Sequence, residues 1–365
     1  MTETPLLLTP GPLTTNPAVR EAMQRDWGSR DPAFIALTAE LRQRLLGVAH
    51  AQASHVAVPI QGSGTYVLEA AVATLVGGGD TLLVLINGAY GERMAEIARR
   101  MGRAVEVLRW DERQPVDPAT VAEALAGKPQ ISHVAVVHCE TTTGILNPLA
   151  DVAAVVASAG RLLIVDAMSS FGALPIDLRH MRAAAVLASS NKCLEGTPGV
   201  GFALIERGVL EGCKGRSPSV SFDLHAQWSG FEGNGQWRFT PPVQVVAAMV
   251  EALRLLEAEG GPPARLRRYE ANLEMLLRGA AAVGIDLYLD RALQAPIIAT
   301  FRAPENPAFR FQTFYDALAS RGFVIYPGKL TKGESFRIGC IGAVTPADFQ
   351  RLASVLGQAL AEAGV

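Results

Sequence analysis

The sequence predicts an α/β fold with a mainly parallel central sheet covered by helices, followed by a smaller C-terminal α/β domain. First, strand-length apolar runs alternate with helical patterns along most of the chain. Second, these runs are continuously apolar, as is typical of strands buried on both faces of a sheet. Third, the order strand–helix–strand–helix favours parallel pairing of successive strands.

The elements of the large domain follow from these patterns in chain order. The predicted strands cover residues 81–86, 105–108, 133–138, 161–165, 184–188 and 200–205. The predicted helices cover residues 64–75, 91–101, 118–126 and 149–159. Ligands of such sheets bind beyond the carboxyl ends of the strands. The residues that follow each strand are therefore the first candidates for function.

The C-terminal third begins with a long helix that opens at Pro241 and Pro242 and stops at Gly260 and Gly261. The elements predicted after it are a helix at 264–283, a strand at 296–301, a helix at 311–320, strands at 323–326 and 335–340, and a last helix capped by Thr345. We therefore expect an N-terminal arm (1–20), a large domain (21–257) and a small domain (258–365).

Composition excludes several classes of function. A formal net charge of −2 gives no sign of a nucleic-acid or acidic-membrane partner. The apolar runs are too short to span a membrane, and no basic segment precedes an apolar stretch at the N-terminus, so we expect a cytoplasmic protein. The four cysteines lack metal-site or disulfide spacing and are expected to be reduced, and no zinc or other metal site is expected.

Lys192 and Asp166 are the most informative residues, because each follows a predicted buried strand. A lysine at this edge could hold pyridoxal 5'-phosphate as a Schiff base, and an aspartate could keep its pyridine nitrogen protonated. Alternatively, Lys192 is an ordinary surface lysine and Asp166 caps a helix that starts at Ala167.

A glycine-rich turn at 61–65 precedes the first predicted helix of the large domain. Ser63, Gly64 and Thr65 could offer hydroxyl groups and free helix N-terminal amides to a phosphate. The turn lacks the lysine of a P-loop and the third glycine of a dinucleotide fingerprint. A monophosphate such as that of pyridoxal phosphate is therefore the better interpretation.

Three further features could complete such a site. Hydroxyl groups in segment 140–144 could contact the phenolic oxygen of the cofactor or cap the next helix. Tyr90 could stack on the cofactor ring or belong to the core or surface. Arg337 could bind a carboxylate through two hydrogen bonds, although a surface ion pair is the ordinary role of a single arginine.

Together these segments resemble the class V pyridoxal-phosphate aminotransferases of fold type I. Within that class the chain is most similar to the enzymes that move the amino group of 2-aminoethylphosphonate to pyruvate. The segments that carry the resemblance are residues 8–15, 61–64, 87–91, 139–144, 165–172, 191–193, 237–242, 326–329 and 336–339.

The resemblance implies a role for each matching residue. Lys192 and Asp166 would be catalytic, and Arg337 would bind the carboxylate of pyruvate or alanine. Thr240 would reach the cofactor phosphate of the neighbouring subunit in an obligate homodimer. The other cofactor-binding residues would be Ser63, Gly64, Thr65, Tyr90, Thr141, Thr143 and Asn191.

The implied reaction yields phosphonoacetaldehyde and L-alanine and belongs to phosphonate catabolism. Lys329 and Arg238 are further candidates for binding the anionic substrates. The chain departs from the expected family pattern in segment 27–34, which contains Arg30 and would line the substrate entrance.

Other functions remain open at this point. An alanine:glyoxylate or serine:pyruvate aminotransferase would use the same Lys192, Asp166 and Arg337 with a different amino donor. A cysteine desulfurase needs a mobile catalytic cysteine, whereas Cys340 lies in a predicted strand. A non-catalytic phosphate-binding protein or a nicotinamide oxidoreductase would lack the visible absorbance of a lysine-bound cofactor.

Overall fold

A seven-stranded sheet with one antiparallel strand forms the centre of the fold in the computed structural model, which describes residues 4–328, 330 and 333–365. The strands in these ranges are β1 (Leu6–Leu7), β2 (His55–Gln61), β3 (Thr81–Ile86), β4 (Ala104–Arg109), β5 (Ile131–Val137), β6 (Cys139–Glu140), β7 (Ile145–Leu146), β8 (Leu162–Asp166), β9 (Ala185–Ser189), β10 (Val200–Glu206), β11 (Ile298–Arg302), β12 (Phe323–Val324), β13 (Tyr326–Pro327) and β14 (Ser335–Gly339).

The helices in the same ranges surround this sheet and a second, smaller one. They are α1 (Pro17–Glu21), α2 (Pro32–Val48), α3 (Gly64–Leu75), α4 (Ala89–Arg100), α5 (Pro118–Gly127), α6 (Leu149–Ser158), α7 (Arg207–Glu211), α8 (Leu224–Asn234), α9 (Val243–Glu259), α10 (Gly261–Ala282), α11 (Phe311–Ser320) and α12 (Pro346–Glu362).

The central sheet has the strand order β2-β10-β9-β8-β5-β3-β4. Strand β10 runs antiparallel to both of its neighbours, and the other neighbouring pairs are parallel. β10 is reversed because the loop from β9 to β10 contains no helix that would carry the chain back across the sheet. The carboxyl ends of β2, β3, β5, β8 and β9 therefore meet at one edge of the sheet.

Helices cover both faces of this sheet, as the continuous apolar runs predict. Leu83 and Leu85 of β3 pack in one hydrophobic cluster with α2 and α9. Leu82 and Val84 of the same strand pack in a second cluster with α3 and α4. Alternate side chains of one strand are thus buried on opposite sides, which explains why the strand carries no polar alternation.

The C-terminal part has its own core between the three-stranded sheet β11-β14-β13 and helices α10, α11 and α12. Helix α9 ends at Glu259, and the left-handed backbone of the next residue, Gly260 (φ +108°), provides the stop that the sequence predicts. Helix α12 begins at the predicted cap, Thr345, through a reciprocal capping box with Asp348. Strand β1 pairs with β12, so the N-terminal arm joins the C-terminal part of the chain.

The structure corrects several element predictions. The single strand predicted at 323–326 is wrong, because β12 pairs with β1 whereas β13 pairs with β14. Strand β2 and helix α2 were not predicted. Helix α4 begins at Ala89, two residues before the predicted start, because a distant carboxylate caps its first turn. Within the described ranges, no helix has both the length and the apolar character that crossing a membrane requires.

Candidate active site

A cavity of about 190 Å³ lies at the sheet edge where the parallel strands end. Its walls come from the starts of α3 and α4, the ends of β5 and β8, and the loop after β9. It is lined by Ser63, Gly64, Thr65, Leu68, Tyr90, Arg93, Val137, Cys139, Thr141, Asp166, Met168, Ser169, Ser189, Asn191 and Lys192. Eight residues that the sequence singles out, including both catalytic candidates, therefore meet in one place, although they come from five separate segments of the chain.

Lys192 lies in the loop between β9 and β10, and its Nζ donates a hydrogen bond to the carbonyl of Pro10 at 3.4 Å. The loop is held at both ends. The Glu195 amide donates to the Lys192 carbonyl at 2.8 Å, and the Gly196 amide donates to the Ser190 carbonyl at 2.8 Å. Arg265, which is buried, donates to the Cys193 carbonyl at 2.9 Å. The lysine amine is thus carried on a fixed backbone at the cavity wall.

Asp166 is the last residue of β8 and is buried with 3% of its surface exposed. One carboxylate oxygen accepts the Met168 amide at 2.9 Å, so Asp166 organises a turn rather than a helix. Among the described residues, none donates a hydrogen bond to its other oxygen. Burial raises the pKa of Asp166 to about 6, although the Met168 amide and the charges of Lys192 and Arg93 oppose the shift. A cationic ring N–H beside this carboxylate would favour its charged form.

The start of α3 faces the same cavity. Ser63 is the N-cap residue, but its side chain makes no capping hydrogen bond, so its hydroxyl group is not used by the helix. Gly64 allows the Met168 side chain to pack closely against the start of α3, because a Cβ atom added at Gly64 would lie 2.5 Å from Met168 Sδ. Free amides and the positive end of the helix dipole make this a suitable site for a phosphate group.

The donors and acceptors of the cavity fit pyridoxal phosphate. The α3 N-terminus can take the phosphate, Asp166 can take the ring N–H, and the Lys192 amine can take the aldehyde. Ser189 adds a buried hydroxyl group that has no hydrogen-bond partner among the described residues and that lines the cavity. A buried unpaired hydroxyl group is costly unless a ligand satisfies it.

Arg337 projects from β14 and is buried with 2% of its surface exposed. It donates to the Thr141 carbonyl at 3.0 Å and to the Pro327 carbonyl at 3.1 Å, and it interacts with the Tyr90 side chain. Burial lowers the pKa of Arg337, and nearby Tyr90 and Glu140 oppose that shift. In the described part of the chain no carboxylate forms an ion pair with it, so its charge is available to an anion beside the cavity.

The other predicted residues lie away from the cavity wall. Thr143 is buried, and its hydroxyl group accepts the Ile145 amide at 3.3 Å. Thr240, Arg30 and Arg238 line a separate surface cavity of about 290 Å³. Lys329 lies outside the described residues.

Sequence reasoning missed Arg93 and Ser189, which also line the cavity. The guanidinium of Arg93 lies 4.9 Å from the centre of the Tyr90 ring. The spacing of three residues on one helix face is a signal that could have found Arg93 once Tyr90 was a candidate. Ser189 ends β9 in the same way that Asp166 ends β8, and the rule for strand ends applies to it equally.

Comparisons with known proteins identify the family of this chain. The family model described as "Aminotransferase class-V" matches residues 20–313. A 2-aminoethylphosphonate–pyruvate transaminase 2 from Polaromonas sp. is 51% identical over 360 residues, covering 99% of this chain and 97% of that protein. A 2-aminoethylphosphonate–pyruvate transaminase from Pseudomonas aeruginosa is 51% identical over 358 residues, covering 98% of this chain and 96% of that protein.

A solved structure shows the same architecture. The alanine–glyoxylate aminotransferase from Nostoc sp. superposes with a TM-score of 0.91 at 26% identity, covering 99% of this chain and 96% of that one. The predicted fold, an α/β large domain with a mainly parallel sheet in the fold type of these enzymes, is therefore confirmed. The chain belongs to the class V aminotransferases.

Proposed function

We propose that this enzyme uses pyridoxal 5'-phosphate to transfer the amino group of 2-aminoethylphosphonate to pyruvate, giving phosphonoacetaldehyde and L-alanine. The observation that carries the proposal is the meeting of Lys192, Asp166 and the α3 N-terminus in one cavity. The choice of substrates is supported by relatives of that name with half of their residues identical to this chain.

Bound pyridoxal phosphate supplies an aldehyde that condenses with amines and a cationic ring that withdraws electrons from the neighbouring carbon. In this proposal the Lys192 amine would hold the cofactor and would move a proton at the substrate carbon that bears the nitrogen. The buried Asp166 carboxylate would keep the ring nitrogen protonated. Transfer to pyruvate would use the same two groups in the reverse direction.

The remaining cofactor contacts are proposed from the cavity lining. Ser63, Gly64, Thr65 and Asn191 would hold the phosphate, and Tyr90 would stack on the ring. Of the two threonines that the resemblance offers for the phenolic oxygen, Thr141 is the better candidate. It lines the cavity, whereas the Thr143 hydroxyl group already accepts a backbone hydrogen bond.

Arg337 is proposed to bind the anionic end of both substrates. 2-Aminoethylphosphonate carries a phosphonate and pyruvate a carboxylate, and a planar guanidinium can bond either group through two N–H donors. The support is its burial without a carboxylate partner in the described ranges and its contact with the cavity-lining Thr141.

We also propose a cytoplasmic homodimer in which Thr240 reaches the neighbouring subunit's cofactor. The support is an open cleft of about 770 Å³ that shares Ser63 and Asn191 with the cofactor cavity. Tyr66 and Phe239 line this cleft and are 51% and 48% exposed. Large exposed apolar side chains beside a site are typical of a surface that another chain covers.

An alanine:glyoxylate aminotransferase is the second candidate, because a structure of that name superposes over nearly the whole chain. A panel of amino donors with pyruvate as the acceptor, and a panel of acceptors with alanine as the donor, separates the two. We expect alanine formation from 2-aminoethylphosphonate and pyruvate, and none with the Lys192→Ala control. Activity with serine, or with alanine and glyoxylate, but none with 2-aminoethylphosphonate would overturn the proposed substrate while leaving the class intact.

A further inference from the structure

Glu140 is a buried carboxylate for which the proposed chemistry has no use. It lies in β6, immediately before Thr141, and none of its surface is exposed. Burial raises the pKa of Glu140, whereas hydrogen bonds from Thr142 and Tyr90 act in the opposite direction. A buried carboxylate is costly unless every oxygen has donors, so its partners indicate what it is there to hold.

One oxygen of Glu140 caps helix α4 from across the fold. Its Oε2 accepts the amides of Tyr90 and Gly91 at 3.1 and 3.4 Å. The local N-cap residue is Gly88, which has no side chain to do this. A Cβ atom added to Gly88 would lie 2.2 Å from Glu140 Cγ, so the carboxylate occupies the space of a local cap. The backbone of Tyr90 is therefore fixed by Glu140.

The other oxygen fixes the segment that supports Arg337. Glu140 Oε1 accepts the Thr142 hydroxyl group at 2.9 Å and the Thr142 amide at 3.3 Å. The preceding residue, Thr141, lines the cavity, and its carbonyl accepts the guanidinium of Arg337 at 3.0 Å. Arg337 in turn interacts with Tyr90. The Glu140 carboxylate therefore holds both partners of the contact between Tyr90 and Arg337: Tyr90 through the backbone of α4, and Arg337 through the segment 141–142.

We propose that Glu140 is a positioning residue that sets Tyr90 and Arg337 relative to each other, and so controls how the site binds anionic substrates. The inference rests on the proposed function, because it assumes that Arg337 binds the substrate anion. Glu140 itself touches neither cofactor nor substrate in this proposal. It acts through the α4 backbone and the 141–142 segment.

The test is the variant Glu140→Gln in the holoenzyme. The amide has one acceptor oxygen, so it can satisfy only one of the two donor pairs and turns its NH₂ group towards the other. We expect the KM for pyruvate to rise about 10-fold, as for the loss of a buried charged hydrogen bond, with a smaller change in kcat. The dissociation constant of pyridoxal phosphate, titrated by absorbance, should rise several-fold because Tyr90 moves.

A double-mutant cycle with Arg337→Lys separates positioning from general destabilisation. If Glu140 acts through Arg337, the effect of Glu140→Gln on the pyruvate KM should fall below about 2-fold in the Arg337→Lys background. Equal effects in both backgrounds, or an unchanged KM in the single variant, would overturn the proposal. Thr142→Val leaves the carboxylate but removes one of its donors, together with the hydroxyl oxygen that accepts the Ala89 amide at 3.3 Å. If Glu140→Gln does not fold, Thr142→Val takes its place in the cycle. We then expect a smaller rise in the pyruvate KM, and that rise should again shrink in the Arg337→Lys background.

Glu106→Gln is the matched control, because Glu106 is a partly exposed carboxylate on β4 that pairs with Lys128 at 2.7 Å. It should leave the KM and the cofactor affinity unchanged. The activity of the wild-type protein separates a failure of the proposed function from a failure of the role of Glu140. A wild type without transaminase activity would refute the proposed function, whereas an active wild type with additive cycles would refute the role of Glu140 alone.

Discussion

At the residue scale, burial destabilises the charged form of Asp166 as long as no cationic ligand lies beside it. It is 3% exposed, and its pKa is raised to about 6 from an ordinary value of 3.8. The folded, cofactor-free protein therefore binds this proton more tightly than the unfolded chain does. The stability that the protonated group contributes is present below about pH 4 and is lost as the pH rises to about 6.

Asp166→Asn should therefore stabilise the cofactor-free protein at neutral pH, by up to roughly 3 kcal/mol, because it removes a buried charge. The same substitution should slow transamination by roughly 100-fold or more, since the ring nitrogen loses its partner. Urea unfolding of the cofactor-free protein at pH 7.5 and at pH 4 measures the first effect. Steady-state kinetics with saturating pyridoxal phosphate measures the second.

The comparison between the two pH values is the control for this prediction. At pH 4 the carboxyl group is protonated in the folded protein, so the variant should gain little stability there. An equal gain at both pH values would show that the amide packs better and that charge is not the cause. Faster catalysis, or no change in rate, would contradict the role proposed for Asp166.

At the element scale, the ends of the parallel strands are held together by side-chain amides. Asn147, which follows β7, and Asn87, which follows β3, donate to each other at 3.1 and 2.8 Å. Asn147 also donates to the Val137 carbonyl at 2.8 Å and accepts the Val116 amide at 2.9 Å. These bonds join four chain segments, one of which, at Asn87, comes just before the start of α4.

Asn147→Ala should lower the free energy of unfolding by about 2–4 kcal/mol, because it leaves buried donors and acceptors unpaired. Chemical denaturation of the holoenzyme measures this. Asn306→Ala, which removes an exposed amide bonded to the Gly364 carbonyl, is the control and should change the stability by no more than about 0.5 kcal/mol. If both variants lost a similar free energy of unfolding, the buried hydrogen bonds of Asn147 would stabilise the protein no more than an exposed one does.

The elements that the sequence predicts correctly are those whose signals are local. Helix α3, with bounds 64–75, and strand β3, with bounds 81–86, were predicted correctly because their signals are local: a small-residue turn and a continuous apolar run. The start of α4 was not, because its cap is Glu140, which is about fifty residues away in the chain. The strand predicted at 323–326 failed because two short strands of different sheets follow each other there.

At the scale of the whole molecule, the site follows from a rule about sheet edges more than from any single motif. Asp166 and Lys192 could be predicted because both follow buried strands, and their position at one cavity agrees with that rule. Local signals could also have found Arg93, three residues after Tyr90, and Ser189, which ends β9. Glu140 needed the three-dimensional arrangement, because its partners come from α4 and from its own segment. The domain limits stay predictions.

The proposed dimer makes a prediction about mixed subunits. If Thr240 completes the neighbouring site, a dimer of one Lys192→Ala subunit and one Thr240→Val subunit contains one intact site. Such heterodimers, purified through two different tags, should recover about half of the wild-type activity at limiting cofactor concentration. Each parent homodimer should be far less active there.

Complementation of this kind depends on which subunit supplies Thr240. If Thr240 served the cofactor of its own subunit, the heterodimer would contain no intact site and would be no more active than its parents. A monomer in sedimentation analysis would contradict the proposal before any mixing. Ser354→Ala, an exposed change on α12, is a control that should not alter activity in either arrangement.

Borohydride reduction followed by peptide mapping shows whether the Lys192 amine carries the cofactor covalently. Holoenzyme prepared with pyridoxal phosphate should show an absorbance band near about 400 nm that disappears on reduction. The reduced adduct should then be found on the peptide that contains Lys192, with none in Lys192→Ala. An adduct on another lysine, or no adduct on a protein that transaminates, would mean that Lys192 does not hold the cofactor.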